Sequence, residues 1–191
     1  MTAFVLTIVA AIVALLGWPF VRPSLGRMWL GAVVAGATGL AAVATIFEPQ
    51  VDGVEQDVLR LFALVLAVCG GAVVTTAAFD AIDASGRTDG TDRIVRAGEV
   101  LRGGAWIGAL ERLAIFATLA ARWPEGIAVV LAVKGLGRYP ELRHQETADG
   151  TGRPNASGAA ERFIIGTLVS MSWTAMCAYL AFAPYVLDLP R

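Results

Sequence analysis

Apolar positions run along this chain in long blocks, and short polar stretches separate them. The blocks extend from about Ala3 to Phe20, Met28 to Phe47, Val58 to Phe79, Gly104 to Ala121, Pro124 to Arg138, and Phe163 to Val186. The first two contain no charged residue, the third carries Arg60 near its edge, and the fourth contains Glu111 and Arg112. A helix needs about 20 apolar residues to cross a bilayer, with a usual range of about 17–25. The pattern therefore predicts an all-α, polytopic transmembrane helical bundle of six spans, or five if the short fifth block is re-entrant. It reads as a single membrane domain over 1–191.

The breaks between blocks carry their own signals. Pro19 and Pro23 bracket the first break, where they interrupt helical hydrogen bonding. Glu48-Pro49-Gln50-Val51-Asp52-Gly53 reads as a turn, and Thr147 to Ser157, rich in Gly, Thr, Asn and Pro, reads as a mobile loop. Trp18, Trp29, Trp123, Tyr139 and Tyr185 fall near predicted span ends, as an interfacial aromatic belt requires. Residues 80–103 read as a cytoplasmic loop. Within it, Asp92 to Leu101 alternates Ile94, Val95 and Leu101 with Arg93, Arg96 and Glu99, a pattern shared by a short interfacial helix and a solvated linker.

Composition narrows the classes. Of 191 residues, 57% are hydrophobic and 16% charged, the net charge is -1, and mean hydropathy is +0.66. A soluble domain carries roughly a quarter charged residues, so an ordinary soluble enzyme and a disordered chain are excluded. No basic footprint for nucleic acid exists. Two cysteines, Cys69 and Cys177, cannot frame a disulfide scaffold and read as packing residues.

The basic residues also orient the bundle. Arg22 and Arg27 lie in the first connection. Arg87, Arg93, Arg96 and Arg102 lie in the third, and Lys134, Arg138, Arg143, Arg153 and Arg162 lie in or beside the fifth. The opposite side holds only Arg60, Arg122 and Arg191. The positive-inside rule makes the odd loops cytoplasmic and puts both termini outside. Met1-Thr2-Ala3 supplies no basic n-region and no A-x-A site follows, so the first block reads as a retained span. The expected location is a bacterial inner membrane, crossed several times.

Small residues recur at helical spacing: Gly31, Ala35 and Gly39; Gly104 and Gly108, with Glu111 following; and Gly166, Ser170, Thr174 and Cys177. Such stripes let helix backbones approach closely in lipid. They are expected to pack helices within one subunit, with a homo-oligomer interface as the competing reading.

The charges inside the blocks are the chemically informative residues. A charge near the bilayer centre costs several kcal/mol on lenient scales, so it faces the bundle interior and finds a partner. Glu111 and Arg112 point about 100° apart on a helix, so a single partner cannot serve both. The expected network contains Glu111, Arg112, Lys134, Arg138, Glu141, Glu161 and Arg162, with Glu111 near Lys134 and Arg112 reaching a helix-end carbonyl, Glu141 or Glu161. Thr167, Ser170 and Thr174 form a polar stripe beside it. One reading makes this network structural, fixing how the last three spans dock. The other makes it a pathway for an ion or small solute, or a headgroup site.

These residues also carry a resemblance. Gly104-Ala105-Trp106-Ile107-Gly108-Ala109-Leu110-Glu111-Arg112 is similar to an IGxLER motif. Lys134-Gly135-Leu136-Gly137-Arg138-Tyr139-Pro140-Glu141-Leu142 is similar to a K-x-x-x-R-[FY]-x-E-[LI] motif. Glu161-Arg162-Phe163-Ile164-Ile165-Gly166-Thr167-Leu168-Val169-Ser170 is similar to an E-[RY]-x-[LI]-I-G-T-x-x-S motif. Together, over about 104–170, they resemble the C-terminal membrane domain of an uncharacterised family of bacterial integral membrane proteins in an actinobacterial form. The resemblance implies an inner-membrane protein and carries over no catalytic residue.

Other chemistry is thinly represented. His144, the one histidine, falls in a predicted polar loop without a second His or nearby Cys at metal-ligand spacing. Asp80, Asp83, Asp89 and Asp92 invite comparison with membrane alcohol phosphotransferases, whose motif resembles D-x-x-D-G-x-x-A-R followed by G-x-x-x-D-x-x-x-D. Here Asp83 precedes Ala84 and the second half is missing, so a solvated acidic loop is expected. No catalytic, metal or cofactor residue is assigned. The leading expectation is a non-enzymatic membrane protein with a charged assembly site, contacting lipid and either itself or a membrane partner. A small oligomeric transporter or channel subunit comes second and a lipid-modifying enzyme third.

Overall fold

A computed structural model of the chain describes residues 1–17, 25–47, 52–85, 104–148 and 155–187, and these are helical apart from short turns. In chain order they are α1 (Thr2–Gly17), α2 (Leu25–Phe47), α3 (Val54–Val65), α4 (Gly71–Ser85), α5 (Gly104–Ala120), α6 (Gly126–Ala148) and α7 (Asn155–Leu187). A π-helical turn, Leu66–Gly70, joins α3 to α4 without a break, so Val54–Ser85 forms one rod.

Among the described residues, three stretches are long and apolar enough to cross a membrane: Met28–Phe47 (20 residues), Val54–Ile82 (29 residues) and Glu161–Phe182 (22 residues). Thr2–Gly17 and Gly126–Gly137 are apolar but shorter.

The helices carry their small residues inward and their large ones outward. On α1, Ala3, Thr7, Ala10, Ala11 and Ala14 are buried, while Val5, Val9, Ile12 and Leu16 are exposed. On α2, Gly31, Val34, Thr38 and Ala41 face inward, while Trp29, Val33, Leu40 and Val43 face outward. Water would penalise so much exposed apolar surface. Lipid does not, and close backbone approach through small residues is how helices associate there.

The rod and α7 lie side by side at the centre. α1 and α2 pack on one side of the rod, α5 packs against the rod and α7 on another, and α6 lies outside α5. Leu66, Ala67, Trp173, Cys177 and Ala181 meet Ala10, Ala14 and Val34 in the core. Phe116 of α5 meets Phe182 of α7 with ring centroids 5.6 Å apart.

Several sequence expectations change here. The third block is longer than Val58 to Phe79, because the helix starts at Val54 and continues to Ser85. Gly53, with φ 62, precedes it in a conformation that suits glycine, and Glu55 and Asp57 in the first turn complement the helix dipole. The fifth block does not stop at Arg138, since α6 runs to Ala148 and carries His144 on a helix. The loop expected over Thr147 to Ser157 is helical at both ends, and 149–154 lie outside the described residues. The small-residue stripe on α2 is also redrawn. Gly31 is in contact, but Gly39 has open space around it. A strict four-residue step drifts about 40° around the helix each time, and the buried face follows Gly31, Val34, Thr38 and Ala41 instead.

The interfacial segment expected at Asp92 to Leu101, with Asp89 and Asp92, lies outside the described residues. Asp80 and Asp83 fall on α4.

Candidate functional site

α5 supplies the two central charges, and its link to α6 determines what lies opposite them. Trp123 N–H donates to Thr118 O (2.8 Å) and Arg122 N–H to Leu119 O (3.1 Å), a Schellman closure with Arg122 in the left-handed region at φ 56. Gly126 keeps the next turn tight, because a Cβ there would sit 2.5 Å from Thr118 Cγ2. The short reversal folds α6 back along α5. Lys134 Nζ consequently donates to Glu111 Oε2 in an ion pair that is partly buried. The same ammonium lies 5.5 Å from the Phe163 ring centroid, so Lys134 links α5, α6 and α7.

Arg112 points elsewhere, as a helical offset of about 100° requires. It is 4% exposed. Its Nε donates to Val68 O (3.0 Å), and Nη1 donates to Ser170 Oγ (3.4 Å). Among the described residues no carboxylate forms a salt bridge with it.

The acceptor explains the geometry. A π turn inserts one residue into an α ladder and loosens its carbonyls from their usual partners. Two carbonyls of this turn accept from other helices: Val68 O from Arg112, and Leu66 O from Trp173 Nε1 at 3.0 Å. Glycines make the space. A Cβ on Gly71 would lie 2.3 Å from Arg112 Cδ and 3.1 Å from Trp173 Cδ1, one on Gly70 would lie 2.7 Å from Trp173 Cζ2, and one on Gly108 would lie 3.3 Å from Arg112 Nη1. Val68 is the central residue of the apolar stretch Val54–Ile82, and Ser170 lies near the middle of Glu161–Phe182. The guanidinium thus sits level with the centres of both.

The expected network therefore separates into distinct parts. Glu111 and Lys134 form one pair. Arg112 and Ser170 form another, with a mid-helix carbonyl in the role expected of a helix end, Glu141 or Glu161. Arg162 lies 5.1 Å from the Phe79 ring centroid, tying α7 to α4, and Glu161 is exposed. Arg138 and Glu141 lie on the later part of α6, and their side chains are outside the described residues.

The polar stripe divides similarly. Ser170 receives Arg112, Thr174 Oγ1 donates to Ser170 O (2.8 Å), and Thr167 Oγ1 is buried without a hydrogen-bond partner. Sequence reasoning missed the π turn, Trp173 and the Gly70-Gly71 pair. The one available signal was two adjacent glycines in the middle of an apolar block.

Cys69 and Cys177 are free thiols, Cys177 within the core. Among the described residues no group of three or more His, Cys, Asp or Glu side chains could hold a metal ion. No family model, curated protein or solved structure matches the chain.

Proposed function

We propose that the chain is a six-span, non-enzymatic integral protein of a bacterial inner membrane, with both termini outside. Its C-terminal half uses buried charges to dock helices, and the docked unit serves assembly with itself or with a membrane partner. The observation that carries this reading is the closed set of contacts at Arg112 and Glu111. Each charge has a specific partner on another helix, and Arg112 is nearly sealed. Charges held this way fix register between helices that lipid would otherwise let slide.

Further spans are supported by the helices that the three long stretches leave over. α1 packs against α2 and the rod and turns Val5, Val9 and Ile12 outward. α5 has 17 residues, at the short end of the spanning range, and turns Ile107, Leu110 and Leu113 outward. α6 is apolar only over Gly126–Gly137, which suits a short or re-entrant crossing. The motif resemblance over 104–170 supports the bacterial inner membrane.

A double-mutant cycle tests the docking role. Glu111→Gln and Lys134→Met should each cost about 1 kcal/mol in detergent unfolding, and the double variant should recover part of the sum. Strictly additive losses would remove the pair from the docking role. Cytoplasmic fluorescence from a GFP fused after Arg191 would overturn the orientation.

A second reading, a small oligomeric transporter or channel subunit, is favoured by one observation: a buried cation that forms no salt bridge among the described residues and donates to a carbonyl at the middle of an apolar stretch.

A further inference from the structure

The centre and the flank of this bundle are apolar over very different lengths. Val54–Ile82 runs for 29 residues, about 43 Å, which exceeds a hydrocarbon core of about 30 Å. On the flank, α6 lies outside α5 and is apolar only over Gly126–Gly137, about 18 Å. Its sequence then turns polar at Arg138, Glu141, Arg143 and His144. A bilayer meets a stretch that is too short by thinning along it. The rod holds full thickness at the centre, so the thinning falls on the flank.

The Glu111–Lys134 pair interrupts even that short stretch. Lys134 lies about 12 Å along α6 from Gly126, and Arg138 follows about 6 Å later. Glu111 lies about 14 Å before the end of α5 at Ala120. Beyond that end the reversal exposes Arg122 and Glu125. A polar group following α6 therefore crosses no apolar interval longer than about 12 Å. A charge held at depth also draws water and headgroups toward itself.

The pair is not sealed. The Lys134 and Glu111 side chains stay 20% and 15% exposed. Arg112 also acts on Glu111 through space, but its bonds to Val68 O and Ser170 Oγ hold the guanidinium on the inner side of α5. Beyond Lys134, Gly135, Leu136 and Gly137 are all exposed. A Cβ added to Gly135 or Gly137 would meet nothing within 4 Å among the described residues. The surface of α6 thus stays open from the pair to the polar end of the helix.

We propose that the flank formed by α5 and α6 is a path along which phospholipid headgroups cross the bilayer, with Glu111 and Lys134 as its midway resting point. One anion beside one cation complements a zwitterionic headgroup such as that of phosphatidylethanolamine, with Lys134 meeting the phosphate and Glu111 the ammonium. The acyl chains remain in lipid, against exposed Leu110, Val133 and Leu136. No bond is made or broken, so lipid exchanges in both directions. The proposal rests on the membrane placement argued above and names the substrate class for the transport reading.

The test uses the full chain in liposomes of phosphatidylcholine and phosphatidylethanolamine, with a trace of phosphatidylethanolamine carrying a fluorophore on one acyl chain. Dithionite added outside bleaches the outer leaflet at once and the inner leaflet only as its lipid crosses. The second phase should run about tenfold or more faster than in protein-free liposomes. The double variant Glu111→Gln and Lys134→Met keeps volume and removes both charges, and should slow that phase about tenfold. The double variant Gly135→Leu and Gly137→Leu fills open space without a clash, so it should slow crossing without lowering Tm. A second phase no faster than in protein-free liposomes would overturn the path, as would a rate undiminished in either variant. Bleaching that keeps pace with the escape of an entrapped soluble dye would also overturn it, because a pore would then be admitting dithionite. Carbonate extraction of the same liposomes separates the two ideas: a chain that stays with the bilayer but does not speed crossing loses the lipid path and keeps its membrane assignment.

Discussion

The rod Val54–Ser85 meets α1 and α2 through Ala, Gly and Val, and it meets α5 and α7 through carbonyls, a guanidinium and an indole. On the first side, Gly31 allows an approach so close that a Cβ there would lie 2.3 Å from Ala77 Cβ, and the threonines Thr7 and Thr38 bond only to their own helices. On the second side, Arg112 and Trp173 donate across to Val68 O and Leu66 O. Lipid tails are as apolar as a leucine side chain, so apolar contact alone gives a helix little reason to prefer one neighbour or one register. The first side answers with shape, through small residues that shorten the distance. The second answers with directed bonds, each of which is satisfied in only one register.

The largest expected effect comes from filling the polar side. Gly71→Val would drive a side chain into Arg112 and Trp173, and should cost about 3 kcal/mol or more in thermal unfolding in detergent, because it adds overpacking to the loss of a charged hydrogen bond. Gly31→Val should cost less, about 1–3 kcal/mol, since it separates α2 from α4 without orphaning a polar group. Trp173 fluorescence should shift in the first variant and stay unchanged in the second. A larger loss at Gly31 than at Gly71 would reverse the comparison and make shape the stronger device.

The smallest effect has the opposite sign. Arg122 occupies the left-handed region at φ 56 between α5 and α6, where glycine is unstrained. Arg122→Gly should therefore stabilise by about 0.5–1 kcal/mol on the same thermal assay. A loss would mean that contacts of the arginine side chain outweigh the backbone strain.

These differences mark what a sequence can convey. The apolar blocks were legible because hydropathy over a long window is a sum of many similar terms, and Met28–Phe47 has the same limits as the apolar stretch found on α2. The closeness of Glu111 and Lys134 could be inferred because consecutive antiparallel helices constrain which residues face each other. The bond partners of Arg112 could not. They are a backbone carbonyl, which every residue possesses, and a serine that is remote in sequence. The π turn has no composition of its own beyond Gly70-Gly71. The orphaned hydroxyls of Thr75 and Thr167 are indistinguishable in sequence from Thr76 and Thr174, which bond to their own helices. The α2 stripe held only in part, because Gly31 and Ala35 reach the core while a four-residue step carries Gly39 off the contact face that Gly31, Val34, Thr38 and Ala41 keep.

The π turn at Leu66–Gly70 can also be read as a change of angular phase. Removing one residue there would turn everything after it by about 100° relative to α3. Gly71 would swing away from Arg112, and Ala77 would swing away from Gly31 in the same motion. Two contacts on different sides of the rod, one made by shape and one by hydrogen bonds, thus depend on a single extra residue. Their alignment is one setting, and neither can be retuned along the sequence without detuning the other.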